Sequence, residues 1–270
     1  MGTKTIGIIG CGAIGETLAA YIEKELKPYV SGIVFFDVVR VCAEKLAKNT
    51  ANSKIFSNID DVVASSDLII ESAVGSCVPD LLRKVIDSEK DIMIMSIGGL
   101  LTVKDLLVEA EKKGVKVILP SGAIAGLDAI KASKVAGIKK VTLTTRKAPG
   151  SISGAPYLIE NDIDVEKITE ETVIFEGNVT EAVKGFPKNI NVSALLSLAG
   201  IGPDKTKVKI IVSPEYTRNI HEIEVESEAG KITTRAENVP FPKNPKTSYL
   251  AALAAITALE GYFKNVRIGT

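Results

Sequence analysis

A glycine-rich turn near the start of the chain restricts its fold more than any other feature. The letters "GCGAIG" place Gly10, Gly12 and Gly15 in G-x-G-x-x-G spacing, after the apolar run "TIGIIG" and before the amphipathic run "ETLAAYIEKEL". In a dinucleotide-binding turn, the first glycine allows the bend, the second lets the pyrophosphate approach the backbone, and the third lets helix and strand pack closely. The free N–H groups at the helix start then face the phosphates. We therefore predict cofactor binding by Gly10, Cys11, Gly12, Ala13, Ile14 and Gly15; the alternative is a purely structural glycine turn.

An acidic residue follows at the position where this fold binds ribose. Asp37 ends the run "GIVFFD", about 20 residues after the turn, where a carboxylate accepts hydrogen bonds from the adenosine ribose. Because a carboxylate repels the 2′-phosphate of NADP, Asp37 favours NAD. Arg40 is close enough to accommodate that phosphate, although it also fits an exposed arginine at a helix start. We predict NAD as the cofactor, with NADP tolerated.

The order of apolar runs predicts two α/β domains. Residues 1–120 alternate continuous apolar strands with helices, which is typical of a Rossmann-type, doubly wound parallel sheet. From residue 121 onward, strands such as "KKVTLTTRK" and "NIHEIEVES" alternate apolar and polar residues, so we expect a mixed sheet with one buried and one open face. We assign 1–120 to an NAD(P)-binding domain and 121–243 to a substrate domain. Residues 244–270 are predicted as a C-terminal helix packed back on the first domain, with Asn244 as N-cap and Pro245 at the first helical position.

Composition excludes several classes of function. Lysine and arginine number 33, as do aspartate and glutamate, and no basic stripe interleaves with aromatic residues, so nucleic acid is not expected as a partner. Three cysteines without C-x-x-C spacing indicate neither a disulfide framework nor a zinc site. No apolar run reaches the roughly 20 residues of a membrane span, and the chain starts without signal-peptide features. We expect a cytoplasmic protein that binds no metal and no membrane.

The only histidine of the chain lies in a strand-like segment. In "NIHEIEVES", period-2 alternation places His221 on one face with Ile223 and Val225, while the glutamates face the other side. His221 therefore points inward, either as a core histidine or as a catalytic one. It is the one side chain here whose ordinary pKa lies near neutrality, so it is the candidate proton-transfer group of a hydride-transfer enzyme.

Polar clusters elsewhere could join this histidine. They are Lys188, Asn189, Asn191 and Ser193 in "FPKNINVSA"; Asn244, Lys246, Thr247 and Ser248 in "NPKTS"; and Ser121, Gly122 and Ala123 in "PSGA". "NPKTS" is interpreted as a helix start suited to a carboxylate. Each cluster is also compatible with helix capping or a solvated lysine.

Taken in order, these segments resemble the L-aspartate dehydrogenase family. The resemblance covers essentially the whole chain and is carried by "GCGAIG", "PSGAIAGLDAI", "TRKAP", "FPKNINVSALLSLAGIG", "NIHEIEVES" and "NPKTS". It implies a Rossmann domain with an open-faced α/β domain, and a homodimer. It also implies NAD(P)-dependent oxidation of L-aspartate through iminoaspartate to oxaloacetate and ammonia, a reaction linked to the start of NAD biosynthesis.

The resemblance also implies roles for single residues. His221 matches the histidine of the family's N-x-H motif, the expected catalytic residue. Ala123 and Asn189 match positions expected near the nicotinamide, and Asn191 is an alternative to Asn189. For a substrate carboxylate our hypothesis is Lys246, Thr247 and Ser248, with Lys188 as a weaker candidate.

Two other interpretations stay open. One is a reductase of similar architecture: a homoserine dehydrogenase-like enzyme relies on lysine and aspartate, whereas the histidine-rich motif of dihydrodipicolinate reductase is incompatible with a single histidine. The other is a non-catalytic dinucleotide sensor, since a fold by itself does not determine function.

Overall fold

The computed structural model describes residues 2–187, 190–266 and 268–269, and only the backbone of residues 245 and 246. The chain divides into two compact units. The first comprises Met1–Pro120 with Ala252–Arg267, and the second comprises Ser121–Ala251 with Ile268–Thr270.

The first unit contains a parallel sheet flanked by helices. Its strands are β1 (Lys4–Ile9), β2 (Val30–Phe36), β3 (Ser53–Ile55), β4 (Leu68–Glu71), β5 (Asp91–Ile94) and β6 (Val117–Ile118). Its helices are α1 (Ala13–Tyr21), α2 (Arg40–Lys48), α3 (Ile59–Ala64), α4 (Val78–Asp87) and α5 (Lys104–Lys112). The strand order is β3-β2-β1-β4-β5-β6. The chain therefore adds β2 and β3 on one side of β1, and then β4, β5 and β6 on the other side. The carboxyl ends of β1 and β4 therefore form the switch point at which such sheets bind ligands.

The strands of this parallel sheet are apolar throughout because both faces of the sheet are buried. Leu18, Ile22 and Leu26, spaced four residues apart, are at most 1% exposed against it. Each such side chain stabilises the fold by about 1.5–3 kcal/mol. Leu259 of the C-terminal helix lies in the same core cluster.

The second unit contains a mixed sheet. Its strands are β7 (Ile138–Lys147), β8 (Thr172–Asn178), β9 (Thr206–Val212), β10 (Asn219–Ser227) and β11 (Gly230–Asn238), in the order β11-β10-β7-β9-β8. Its helices are α6 (Leu127–Ala136), α7 (Pro156–Glu160), α8 (Val179–Gly185) and α9 (Asn191–Ala199). β7 runs parallel to β9 and antiparallel to β10. The prediction of a doubly wound parallel sheet plus a mixed sheet is confirmed.

The two faces of the second sheet differ in burial, as period-2 alternation predicted. His221, Ile223 and Val225 are buried on the face that we call the inner face. On the opposite, outer face Glu222 lies 3.0 Å from Arg235 and 3.7 Å from Arg146. Such surface ion pairs contribute about 0–1 kcal/mol each, so burial of the inner face is the main source of stability.

The end of the chain differs from the prediction in one respect. Asn244–Ser248 is a strand, β13, paired with β12 (Pro240–Phe241), and the last helix, α10, is Tyr249–Phe263. Asn244 is therefore not a helix cap, residue 245 is not the first helical position, and residues 244–251 belong to the second unit. The rings of Phe241, in this hairpin, and Tyr249, at the start of α10, stack with their centroids 5.6 Å apart. The pairing of β12 with β13 took precedence over the local capping signal.

Within the described part of the chain, no helix has both the length and the apolar character needed to cross a bilayer.

Candidate active site

The glycine turn of the first unit has the geometry that phosphate binding requires. Gly10 has φ +93°, and a Cβ there would lie 2.6 Å from the backbone of Ser72. A Cβ on Gly15 would lie 2.3 Å from the Gly10 carbonyl oxygen, so this glycine permits close packing of helix on strand. At Gly12, by contrast, a Cβ would have no described atom within 4 Å, and no side chain caps α1. The turn is thus tightly packed at Gly10 and Gly15 and open at Gly12, the glycine predicted to face the phosphates.

The carboxylate of Asp37 is held beside this turn by backbone donors. Cys11 N donates to its Oδ2 at 2.7 Å and Val39 N to its Oδ1 at 2.8 Å. Arg40 donates from Nε to Glu44 at 3.0 Å, one turn along α2. Burial raises the pKa of the Cys11 thiol to about 12, so this cysteine is a packing residue at the turn rather than a nucleophile. Ala13 and Ile14 begin α1.

Glu71 organises the neighbouring loops and was not singled out from the sequence. Its fully buried carboxylate accepts hydrogen bonds from Ala73 N at 2.8 Å, Met95 N at 3.1 Å, and Ser96 N and Oγ at 2.8 and 2.9 Å. Burial raises its pKa, and these hydrogen bonds oppose the increase. Glu71 therefore connects the loops that leave β4 and β5 at the ligand-binding edge of the sheet.

His221 lies on the inner face of the second sheet, as predicted. It is 5% exposed and stands opposite Thr145 in register, with Nδ1 3.1 Å from the Thr145 hydroxyl. Burial, followed by the positive charge of Lys147, lowers the pKa of His221 to about 3. The imidazole is therefore neutral at pH 7, and a pKa this low makes it a weak base until a nearby negative charge raises that pKa.

Two asparagines extend this polar row at one end of the sheet. Asn219 donates from Nδ2 to Ser248 Oγ at 3.5 Å, and Asn238 donates to the Ala123 carbonyl at 3.0 Å. Asn219 and Asn238 face each other across β10 and β11, and both are buried. The last residue of "NPKTS" is thus attached to β10, the strand that carries His221, and the "PSGA" loop is attached to the neighbouring strand β11.

The remaining predicted residues are distributed as follows. Asn191 is the first residue of α9, and Thr247 accepts a hydrogen bond from the Asn244 amide at 3.3 Å within β13. "NPKTS" is a strand and not itself a helix start, so that part of the interpretation is wrong; α10 begins at Tyr249, directly after Ser248. Lys188, Asn189 and the side chain of Lys246 lie outside the described residues.

Sequence reasoning missed Thr145, Lys147 and Asn238 as members of this row, whereas alternation within "NIHEIEVES" already places Asn219 on the face of His221. Alternation in "VTLTTRK" does place Thr145 and Lys147 on the inner face, so a lysine at an apolar position was the available signal. Among the described residues, no group of three or more His, Cys, Asp or Glu side chains is arranged to bind a metal ion.

Comparisons with known proteins agree with this geometry in both units. A family model described as the C-terminal part of aspartate dehydrogenase matches residues 128–262, and one described as the NAD-binding domain of homoserine dehydrogenase matches residues 10–120. L-aspartate dehydrogenase from Methanococcoides burtonii is 46% identical over 98% of this chain and 99% of its own length. The enzyme of the same name from Methanosarcina mazei is 43% identical over 98% and 99%.

A solved structure is similar over nearly the full length. The aspartate dehydrogenase of Thermotoga maritima superposes with a TM-score of 0.77 at 26% identity, covering 98% of this chain and 99% of that chain.

Proposed function

The chain belongs to the L-aspartate dehydrogenase family, and we propose that it oxidises L-aspartate with NAD to iminoaspartate, which water converts to oxaloacetate and ammonia. It is an oxidoreductase of the amino-acid dehydrogenase class that uses a nicotinamide cofactor. The observation that carries the assignment of the catalytic site is His221, a buried neutral imidazole with one nitrogen bound to Thr145.

The hydrogen bond to Thr145 determines which nitrogen of His221 acts. When Nδ1 carries the proton and donates to the Thr145 hydroxyl oxygen, the lone pair of Nε2 is free to accept a proton. We infer that this tautomer is the reactive one. Thr145 is then a positioning residue and His221 the catalytic residue.

Proton transfer at His221 supports both halves of the reaction. The substrate ammonium must lose a proton before the Cα–H bond can break, and Nε2 of His221 accepts that proton. Before the second half, His221 releases this proton to solvent. The imidazole then takes a proton from the water that attacks the imine carbon and returns it to the nitrogen, and ammonia leaves as the new hydroxyl loses its proton and becomes the carbonyl. A bound substrate carboxylate raises the pKa of His221 again, because its negative charge offsets the nearby Lys147. General base catalysis of this kind contributes about 10²–10⁴ in rate.

The glycine turn supplies the cofactor site. The residues that would hold the dinucleotide are Gly10 to Gly15 at the phosphates, Asp37 at the ribose, and Ala123 with Asn189 or Asn191 near the nicotinamide. When bound, the nicotinamide accepts the hydride from the substrate Cα. Open space at Gly12 and the uncapped start of α1 fit a pyrophosphate. The pairing of Arg40 with Glu44 supports NAD over NADP, since the guanidinium already has an acidic partner.

The substrate hypothesis for "NPKTS" is retained in a new form. Ser248 is buried and reaches the strand of His221 through Asn219. We propose that Thr247 and Ser248, with Lys246, bind one substrate carboxylate from a strand rather than from a helix start. A homodimer, a cytoplasmic location and a role at the start of NAD biosynthesis are further proposals, which rest on the family resemblance and on composition.

The test is NADH production by the purified protein, with L-aspartate, D-aspartate and L-homoserine offered separately and with NAD and NADP compared. We expect turnover of L-aspartate alone, faster with NAD. Turnover of L-homoserine in place of L-aspartate would favour a homoserine dehydrogenase-like enzyme. NADH binding without turnover of any of the three would favour a dinucleotide sensor.

A further inference from the structure

We propose that Lys147 binds a carboxylate of L-aspartate, in a cavity on the inner face of the second sheet between its ammonium group and the start of α9. The inference rests on the proposed function, since it names a substrate contact for that reaction. It adds a residue to the site that the sequence did not suggest.

The strand register places Lys147 on the face of His221. Along β7, Leu143, Thr145 and Lys147 alternate with residues of the outer face, and all three are buried. Thr145 stands opposite His221 in register. Lys147 lies two residues further along β7, a displacement of about 7 Å. That separation suits a substrate with its amino group at the imidazole and a carboxylate at the lysine.

The ammonium group of Lys147 is buried without a counter-charge. The residue is 7% exposed, and in the part of the chain that is described no hydrogen bond or ion pair reaches its nitrogen. Burial by itself lowers its pKa to about 8, which leaves it mostly protonated at pH 7. Lys140 on the same strand faces outward and pairs with Glu226 at 3.8 Å. A buried unpaired cation is costly, so its presence is explained if a ligand supplies the anion.

A second source of positive potential opens on the same cavity. Thr145, Lys147, Val192 and Ser193 are among its lining residues. Val192 and Ser193 lie in the first turn of α9, and no side chain caps that helix start. The first N–H groups of a helix have no partner within the helix, and its N-terminal end carries a partial positive charge. An ammonium and a helix start that face one cavity fit a carboxylate.

The experiment compares Lys147→Met with the parent and with Lys140→Met, which removes a lysine from the outer face of the same strand. Four quantities are measured: KM for L-aspartate, KM for NAD, the dissociation constant of succinate by calorimetry with NADH present, and Tm. Succinate carries both carboxylates but has no amino group, so it reports on carboxylate binding without turnover.

We expect Lys147→Met to raise both KM for L-aspartate and the dissociation constant of succinate by about 10- to 100-fold, as for the loss of a charge-assisted hydrogen bond. KM for NAD should not change, and Tm should stay equal or rise because a buried unpaired charge is removed. Lys140→Met should match the parent. Lys147→Arg, which retains the charge, should recover most of the affinity for succinate.

The outcomes separate this inference from the proposed function. A parent that does not turn over L-aspartate contradicts the proposed function, whatever succinate does. Turnover by the parent, with KM and succinate affinity of Lys147→Met within about twofold of it, overturns the role of Lys147 alone. If Lys147→Met does not fold, Lys147→Gln takes its place in the comparison. A folded Lys147→Gln with the expected loss of succinate binding supports the role of Lys147, and any other result overturns it.

Discussion

The two candidate sites, one in each unit, are built in different ways. In the first unit the glycine turn, the proposed phosphate site, consists of backbone: three glycines, an uncapped helix start and an acid held by N–H donors. In the second unit the site consists of side chains, His221, Thr145 and Lys147, which enter a buried face from two strands. A backbone site is encoded in one short segment, whereas the side-chain site requires strands that are distant in sequence to pair in one register.

This difference explains what the sequence could predict. All the glycines that a dinucleotide-binding turn needs lie within the six residues of "GCGAIG", so the sequence predicts both the turn and its function. The inward direction of His221 followed from alternation within its own strand. Its partner Thr145 could not be predicted, because 76 residues separate the two and only the β7–β10 register brings them together.

Two further residues show where local signals mislead or fall short. Asn244 begins a segment with good helix-capping residues, yet this segment is a strand that pairs with β12. Lys147 has the position of a core residue by alternation, but whether a lysine there finds a partner depends on the neighbouring strands and on α9. The local sequence pattern thus predicted which face of the sheet a side chain points to, whereas tertiary contacts determined which residues it pairs with.

The largest effect on the backbone site is expected from Gly15→Ala. Its Cβ would lie 2.3 Å from the Gly10 carbonyl oxygen, which cannot move freely. We expect a loss of about 3 kcal/mol in the free energy of unfolding, together with weaker NADH binding. Urea unfolding and NADH fluorescence measure the two quantities.

Gly12→Ala is the matched control, because its methyl group enters open space. It should leave stability within about 0.5 kcal/mol of the parent and weaken only NADH binding. Equal destabilisation by both substitutions would show that the turn is not divided into a packed part and a ligand-facing part.

A comparable effect is expected from pH through Lys147. Its folded-state pKa, about 8, lies below the ordinary 10.5, so between these values the unfolded chain holds more protons. The free energy of unfolding contributed by this group therefore rises as pH increases from 8 to 10.5, by about 3 kcal/mol at most.

Unfolding of the parent and Lys147→Met in urea at pH 7.5 and 10 isolates this contribution, since the other groups titrate in both proteins. The parent should gain stability relative to the variant at pH 10. A difference that is the same at both pH values would mean that Lys147 is not desolvated.

A smaller effect is expected from Thr145→Val, which keeps the shape of the side chain but removes the partner of His221 Nδ1. An unpaired buried imidazole nitrogen should lower kcat by about 10- to 50-fold, while KM for NAD stays unchanged. Thr145→Ser retains the hydroxyl and should recover most of the activity. If serine and valine gave the same kcat, the hydroxyl would have no role in orienting the imidazole.

We expect the side-chain site to perform the chemistry and the backbone site to bind the cofactor. The most direct test is His221→Ala, measured for L-aspartate oxidation and for NADH affinity in the same preparation. We predict that kcat falls about 10²- to 10⁴-fold while the dissociation constant of NADH stays within about twofold. Turnover at the parent's rate in His221→Ala would contradict it and return His221 to the role of a core residue.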